Sequence, residues 1–156
     1  MRELVECLRD PTEPFLQKFA AVTRELCQAG SAGVSLLENT DSGEEVFRWD
    51  ALAGMLAHHV GGSAPRNWSP CGLCLDAAGP ILLSYPARAF AYFDGITVPI
   101  IESLVLPFYA AHSQPLGTIW VISHAESRKF DLEDVRIMAS LAQVVATACK
   151  GVQPEK

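Results

Sequence analysis

Phe15, Phe19, Val22 and Leu26 recur at intervals of four, three and four, which is the spacing of one helical face. Thr12 can cap the helix and Pro14 falls in its first turn, so a helix is predicted over residues 12–29, stopped at Gly30. Residues 32–38 then read as a short strand rich in Val and Leu. Residues 46–51 read as a second strand, with Phe47, Trp49 and Ala51 on one side and Arg48 and Asp50 on the other. Turn-forming Asp41, Ser42 and Gly43 between them predict an antiparallel hairpin.

The pattern over residues 52–60 is helix-like but short. Gly61, Gly62, Pro65 and Pro70 break it into a loop carrying Arg66 and Trp68, a loop that could cover a cavity. Residues 72–78 predict one or two helical turns closed by Gly79, followed by a brief strand at 81–83 that Pro86 stops. Tyr85, Phe90, Tyr92 and Phe93 then cluster in a stretch without regular period. The strongest strand signals are residues 102–110 and 116–124, joined by a short link that predicts an antiparallel hairpin of central strands. Asp131 predicts the N-cap of a last helix, with Asp134 as its box partner and Phe130 stapled against Val135. Val135, Met138, Leu141, Ala142, Val145 and Cys149 give that helix a continuous apolar stripe. The order is an α+β sandwich: an antiparallel sheet of about six strands, with helices from both ends of the sequence covering one face.

With 156 residues and 49% hydrophobic side chains, the chain can bury roughly two-thirds of its unfolded surface as one domain spanning residues 1–156. Its 18 acidic against 12 basic residues give a net charge of −6, with no Lys/Arg cluster, which argues against nucleic acid or an anionic membrane as partner. A charged fraction of 19% and a mean hydropathy of +0.18 exclude a disordered tail. No stretch reaches the roughly 20 apolar residues of a membrane span, and the first ten residues lack the apolar run of a secretory signal, so a cytoplasmic location is expected. Cys7, Cys27, Cys71, Cys74 and Cys149 are odd in number, which points to reduced thiols, with Cys27 and Cys149 acting as small buried hydrophobes on helical stripes.

Cys71-Gly-Leu-Cys74 is a Cys-x-x-Cys that can be a redox pair, half a zinc site, or two thiols packed around a tight turn. Zinc would need two more ligands from His58, His59, His112 or His124, and none stands at finger-like spacing. His58 and His59 would point about 100° apart on a helix, so they cannot share one metal. Glu102, inside an apolar run, must face solvent or meet a partner such as Arg88 or Arg66, and alternation places it with Leu104 and Leu106 on an inward face. A buried Arg–Glu pair would serve as a polar handle for a ligand or as a structural ion pair. Trp68, Phe90, Tyr92 and Phe93 could line the pocket or form a small core that fastens the insert to the sheet.

Four segments together resemble a known family: Pro65-Arg66 leading into SPCGLCLD at 69–76, PIIESLVLP at 99–107, LGTIWVISH at 116–124, and RKFDLED at 128–134. The combination is similar to GAF domains, small-molecule sensors found ahead of bacterial histidine kinases and in phytochrome-like proteins, and covers residues 32–148. The resemblance implies a profilin-like sheet with a pocket on the face away from the terminal helices, between the sheet and segments 68–76 and 85–102. It implies a non-catalytic sensory domain for a small organic ligand of unknown identity, with Trp68, Cys71, Cys74, Arg88, Phe90, Phe93 and Glu102 as candidate ligand-binding residues. With no kinase module after the last helix, output is expected to pass through a signalling partner or through a homodimer formed by the terminal helices. The enzymatic alternative is a thiol redox enzyme or switch resembling GAF-type free methionine sulfoxide reductases and using Cys71 and Cys74. Against it, the segment that supplies the attacking thiolate in those enzymes, residues 94–104 here, has no cysteine. The cyclic-nucleotide motif of other GAF domains and the Cys-His pair of bilin attachment are also absent.

Overall fold

A computed structural model describes residues 13–90, 93 and 95–150. The Thr12 cap, Cys7 and Tyr92 lie outside the described residues. The first helix, α1, spans Glu13–Leu26, and β1 (Ser31–Asn39) and β2 (Glu45–Gly54) follow as the expected hairpin. A 3-10 turn at Ala57–His59 leads to the short β3 (Ser63–Pro65), and α2 (Pro70–Ala77) precedes β4 (Ile81–Ser84). The second hairpin is β5 (Glu102–Tyr109) with β6 (Pro115–Ser123), and α3 (Leu132–Lys150) completes the chain. The six strands form one antiparallel sheet in the order β3-β2-β1-β6-β5-β4, so β1 and β6 are central.

The sheet carries a different core on each face. Leu104, Leu106 and Phe108 of β5 and Ile119 and Val121 of β6 pack against Phe15 and Phe19 of α1 and Met138, Leu141 and Val145 of α3. On the other face Val105, Trp120, Ile122, Phe47 and Leu52 meet Cys71, Cys74, Phe90, Phe93 and Ile100 from the irregular segments. Strand alternation divides the residues between the two, because successive side chains point to opposite sides.

That alternation is interrupted once in β2. Val34 pairs with Ala51 but Ser35 pairs with Trp49, leaving Asp50 as the extra residue of a bulge. Phe47 therefore stays with the insert-side core while Ala51 and Ala53 join the helix side. The expectation that Ala51 shares a face with Phe47 and Trp49 is thus corrected. The helix-like stretch after residue 51 is also corrected: β2 runs on to Gly54 and only Ala57–His59 turns.

Two glycines allow the central strands to pack as they do. A Cβ on Gly117 would lie 2.0 Å from the Ser35 carbonyl oxygen, so only glycine lets β6 run this close to β1 there. A Cβ on Gly33 would lie 2.3 Å from the Trp120 ring, so the bare backbone of β1 is the seat of that indole.

The start of α3 follows its sequence signature. The Asp131 amide donates to Asp134 Oδ2 at 2.9 Å and the Asp134 amide donates back to Asp131 Oδ1 at 3.2 Å, a reciprocal box that satisfies two otherwise free donors. The apolar stripe of α3 is taken up by the domain's own core, where Val145 is fully buried.

Candidate functional site

Between the sheet and the irregular segments lies a cavity of about 30 Å³, which opens outward into a solvent-filled mouth. Its floor is the sheet: Ser103 and Val105 of β5, Trp120 and Ile122 of β6, Trp49 and Leu52 of β2. Pro70 and Cys71 at the start of α2, Phe93 and Ile96 from the insert, and Leu56 and His59 after β2 form the walls.

Local chemistry explains why α2 begins there. Ser69 is an N-cap whose hydroxyl accepts the Gly72 amide at 3.1 Å, and Pro70 occupies the first helical position. Arg66 fastens the same turn, donating to the Gly72 carbonyl at 3.2 Å and to Asp76 at 2.9 Å. Cys71 is thereby held over the sheet, where the Thr118 hydroxyl donates to its sulfur at 2.9 Å. Trp120 Nε1 donates to the Ser35 hydroxyl at 2.9 Å, which fixes the indole plane in the floor.

Among the described residues the lining carries no Asp, Glu, Lys or Arg. Ser103, only 3% exposed, faces the cavity from β5, and its hydroxyl has no hydrogen-bond partner among the described residues. No buried side-chain nitrogen or oxygen among the described residues is left unsatisfied, so this hydroxyl keeps a little accessible surface and is free to accept from or donate to whatever occupies the space.

The candidate residues separate into three groups. Cys71 and Phe93 line the cavity. Phe90 and Trp68 stand behind Phe93: the Phe90 ring is 6.4 Å from Phe93 and 5.0 Å from Trp68, whose Nε1 donates to the Ala89 carbonyl at 3.1 Å. Trp68 is 54% exposed, so it clasps the insert from outside. Cys74, Arg88 and Glu102 lie away from the cavity. Cys74 sulfur is directed at the carbonyls of Gly79 and Val105, at 3.3 and 3.5 Å. The Arg88 guanidinium rests 4.2 Å over the Tyr85 ring, while the Tyr85 hydroxyl donates to Glu126.

Glu102 requires a correction. It does share a face with Leu104 and Leu106, but that face is the helix side, opposite the cavity. Its carboxylate accepts the Phe130 amide at 2.7 Å just ahead of α3, where a negative charge is favoured by the helix N-terminus. Neither Arg66, paired with Asp76, nor Arg88 meets it, so the pocket has no Arg–Glu handle. A one-residue change of parity moves a strand's whole set to the other face. The residues missed in the sequence, Ser103, Val105 and Trp49, are therefore the odd-numbered neighbours of those chosen.

Burial keeps the thiols protonated. The Cys71 thiol is pushed up to about 11, because burial outweighs the stabilising hydrogen bonds of Thr118 and Ser35. Burial also raises Cys74, with the nearby Cys71 adding to the effect. Among the described residues no group of three His, Cys, Asp or Glu side chains could hold a metal ion.

A curled antiparallel sheet with terminal helices on one face and a cavity beneath an insert on the other is a GAF-like α+β architecture. The GAF domain family model GAF_2 matches residues 17–149, and the chain belongs to that family. No curated protein matches the sequence. Solved structures share the fold. The free methionine-R-sulfoxide reductase from Neisseria meningitidis, in complex with its substrate, superposes with a TM-score of 0.73 at 17% identity, over 97% of this chain and 89% of that one. The GAF domain from Acinetobacter phosphoenolpyruvate-protein phosphotransferase gives 0.73 at 18%, over 99% and 95%. The second GAF domain of DevS from Mycobacterium smegmatis gives 0.67 at 18%, over 87% and 91%. At these identities the likeness carries the fold alone. No helix among the described residues is long and apolar enough to cross a membrane.

Proposed function

We propose that this GAF domain is a non-catalytic small-molecule sensor in a signalling system, with the cavity under the insert as its ligand site. The observation that carries this reading is an open, almost wholly apolar cavity with an unpaired Ser103 hydroxyl in its floor. Concave, mostly apolar clefts with one or two convergent polar groups are the usual form of small-molecule sites. Cys71, Phe93 and Ser103 would touch the ligand, and Trp68 and Phe90 would hold the wall that closes on it. Occupancy would reach the terminal helices through β5 and β6, which show alternate residues to the cavity and to α3. A second copy would seat on the outer margin of α3, where Ile137 and Val144 are only half-buried.

The thiol-enzyme alternative is disfavoured by two features. A nucleophilic thiolate is needed, and at pH 7 a thiol titrating near 11 is ionised to only about one part in ten thousand. Cys74, the other thiol of the Cys-x-x-Cys pair, is directed away from the cavity.

The test is a calorimetric screen of purified protein against a mixed set of charged, zwitterionic and uncharged small molecules, with Ile96→Trp as a cavity-filling variant. Binding that disappears in Ile96→Trp is expected, together with no formation of methionine from methionine sulfoxide under reducing conditions. Sulfoxide turnover that depends on Cys71 would replace this reading with the enzyme.

A further inference from the structure

The geometry points to an uncharged aromatic molecule with one hydrogen-bonding atom as the ligand, seated on Trp120 and addressed by the Ser103 hydroxyl. This rests on the cavity being the ligand site and narrows what that site accepts.

Charge is the first discriminator. A phosphate, a carboxylate or a free amino acid entering this space would lose its hydration shell and find no ion of opposite sign among the described lining residues, and the arginines of the covering segments are engaged elsewhere. Arg66 is held by Asp76 and Gly72, and Arg88 lies on Tyr85. An isolated buried charge is strongly disfavoured without a partner. His59, half-exposed, stands at the edge of Trp49 with ring centroids 6.4 Å apart.

Shape is the second. Trp49, Trp120 and Phe93 supply three ring systems to one small cavity, and the Trp120 plane is fixed by its bond to Ser35 and by the bare Gly33 beneath it. Fixed aromatic surfaces favour a planar guest, which can stack offset or meet ring edges. The third is the single polar address. The Cys71 sulfur already receives the Thr118 hydroxyl and the Trp120 nitrogen is spent on Ser35, whereas the Ser103 hydroxyl has no partner among the described residues.

Three probes of one shape separate these requirements: 2-naphthol, naphthalene and 2-naphthoate, titrated calorimetrically at about pH 8, where the naphthoate is ionised and imidazole in water is neutral. We expect 2-naphthol to bind most tightly. Naphthalene should be about fivefold weaker, the worth of one ordinary hydrogen bond. For 2-naphthoate the expected loss is more than about a hundredfold, from the unpaired charge. Ser103→Ala should bring 2-naphthol down to the naphthalene level and leave naphthalene unchanged. Equal or tighter binding of 2-naphthoate overturns the uncharged class, and an unaltered 2-naphthol affinity in Ser103→Ala overturns the role of Ser103. In either case the cavity survives as a site, because Ile96→Trp would still abolish binding. If none of the three probes binds while other screened compounds bind in a way that Ile96→Trp removes, this inference fails alone. If no compound of any kind shows cavity-dependent binding, the sensor reading fails with it.

Discussion

The two faces of this sheet start from the same material and end differently. On the helix side, side chains of β5 and β6 meet α1 and α3, two long regular elements whose apolar stripes keep step with the pleat, and the space between is filled by Phe15, Phe19, Met138, Leu141 and Val145. On the other side, equally apolar residues of the same strands meet an eight-residue helix, single 3-10 turns and loops, and a cavity remains. An irregular cover must satisfy its own backbone polar groups turn by turn, so it cannot follow the sheet as closely as a helix stripe can. It also holds strain: Ala78 and Tyr85, on either side of β4, adopt left-handed conformations at φ of 56° and 49°. Alternation supplies two apolar faces, and the regularity of what covers each decides whether it becomes core or pocket.

The contrast can be broken most severely with a buried carboxylate. Val145→Asp, fully buried on the helix side, should cost more than about 4 kcal/mol and leave little folded protein. Ile96→Asp, half-buried at the cavity wall, should cost about 1 kcal/mol or less because the new charge can reach water. Urea unfolding followed by circular dichroism reads both, and equal costs would mean that the two faces are packed alike. The next effect is chemical. Cys71 lines an open cavity, yet its thiol titrates near 11 against an ordinary value of 9.0, a difference of two units, so iodoacetamide should label it about a hundredfold more slowly than a free cysteine between pH 7 and 8. Labelling should then accelerate as pH rises towards 11. Peptide mapping by mass spectrometry checks this, and fast labelling at pH 7 would restore Cys71 as a nucleophile.

A chemically matched pair sharpens the comparison further. Ile119 and Ile122 lie on the same strand, the first in the helix-side core and the second in the cavity floor. Ile119→Val should cost about 1.5 kcal/mol, since the lost methyl leaves a void among fixed neighbours, and Ile122→Val about 0.5 kcal/mol, since its neighbourhood is already partly empty. Thermal unfolding of the two variants resolves a gap of that size, and a reversed order would contradict the packing difference.

The helix side was legible in the sequence and the cavity side only in outline. The stripe from Val135 to Cys149 and the Asp131–Asp134 box are local signals with counterparts in the structure, whereas the four-three-four spacing gives the first helix but not its last contact, because Thr23 and Cys27 are buried and Leu26 is 45% exposed. The Cys71 turn was legible as well, because Ser69, Pro70 and Gly72 are cap chemistry. Glu102 and Ala51 were assigned to the wrong face for one reason: strand alternation gives relative parity, while the absolute face depends on a bulge or on which side the helices dock. Arg88 and Cys74 lie outside the cavity because loop segments between Pro65 and Ile100 carry no periodicity from which direction can be read. Ser103, the most informative residue of the site, gave no signal beyond being the neighbour of Glu102.

The smallest expected effect tests the box that aligns α3 with the filled face. Asp131 is held below the ordinary Asp value of 3.8, first by the Asp134 amide it accepts and then by the Asp134 side chain, the Glu133 amide and the charge of Arg128. A carboxylate that binds its proton less readily in the folded state than in the unfolded one stabilises the fold wherever it is ionised. That contribution is complete above the ordinary Asp range and is lost as pH falls through the depressed folded value. Wild-type protein should therefore lose stability on the acid side of 3.8 more steeply than Asp131→Asn, whose amide oxygen can still accept the Asp134 amide but does not titrate. Unfolding midpoints compared between pH 7 and 3 measure the difference. Parallel acid limbs in the two proteins would show that the cap works as a neutral hydrogen bond, and that the charge at the start of α3 adds nothing to the packing of the helix side.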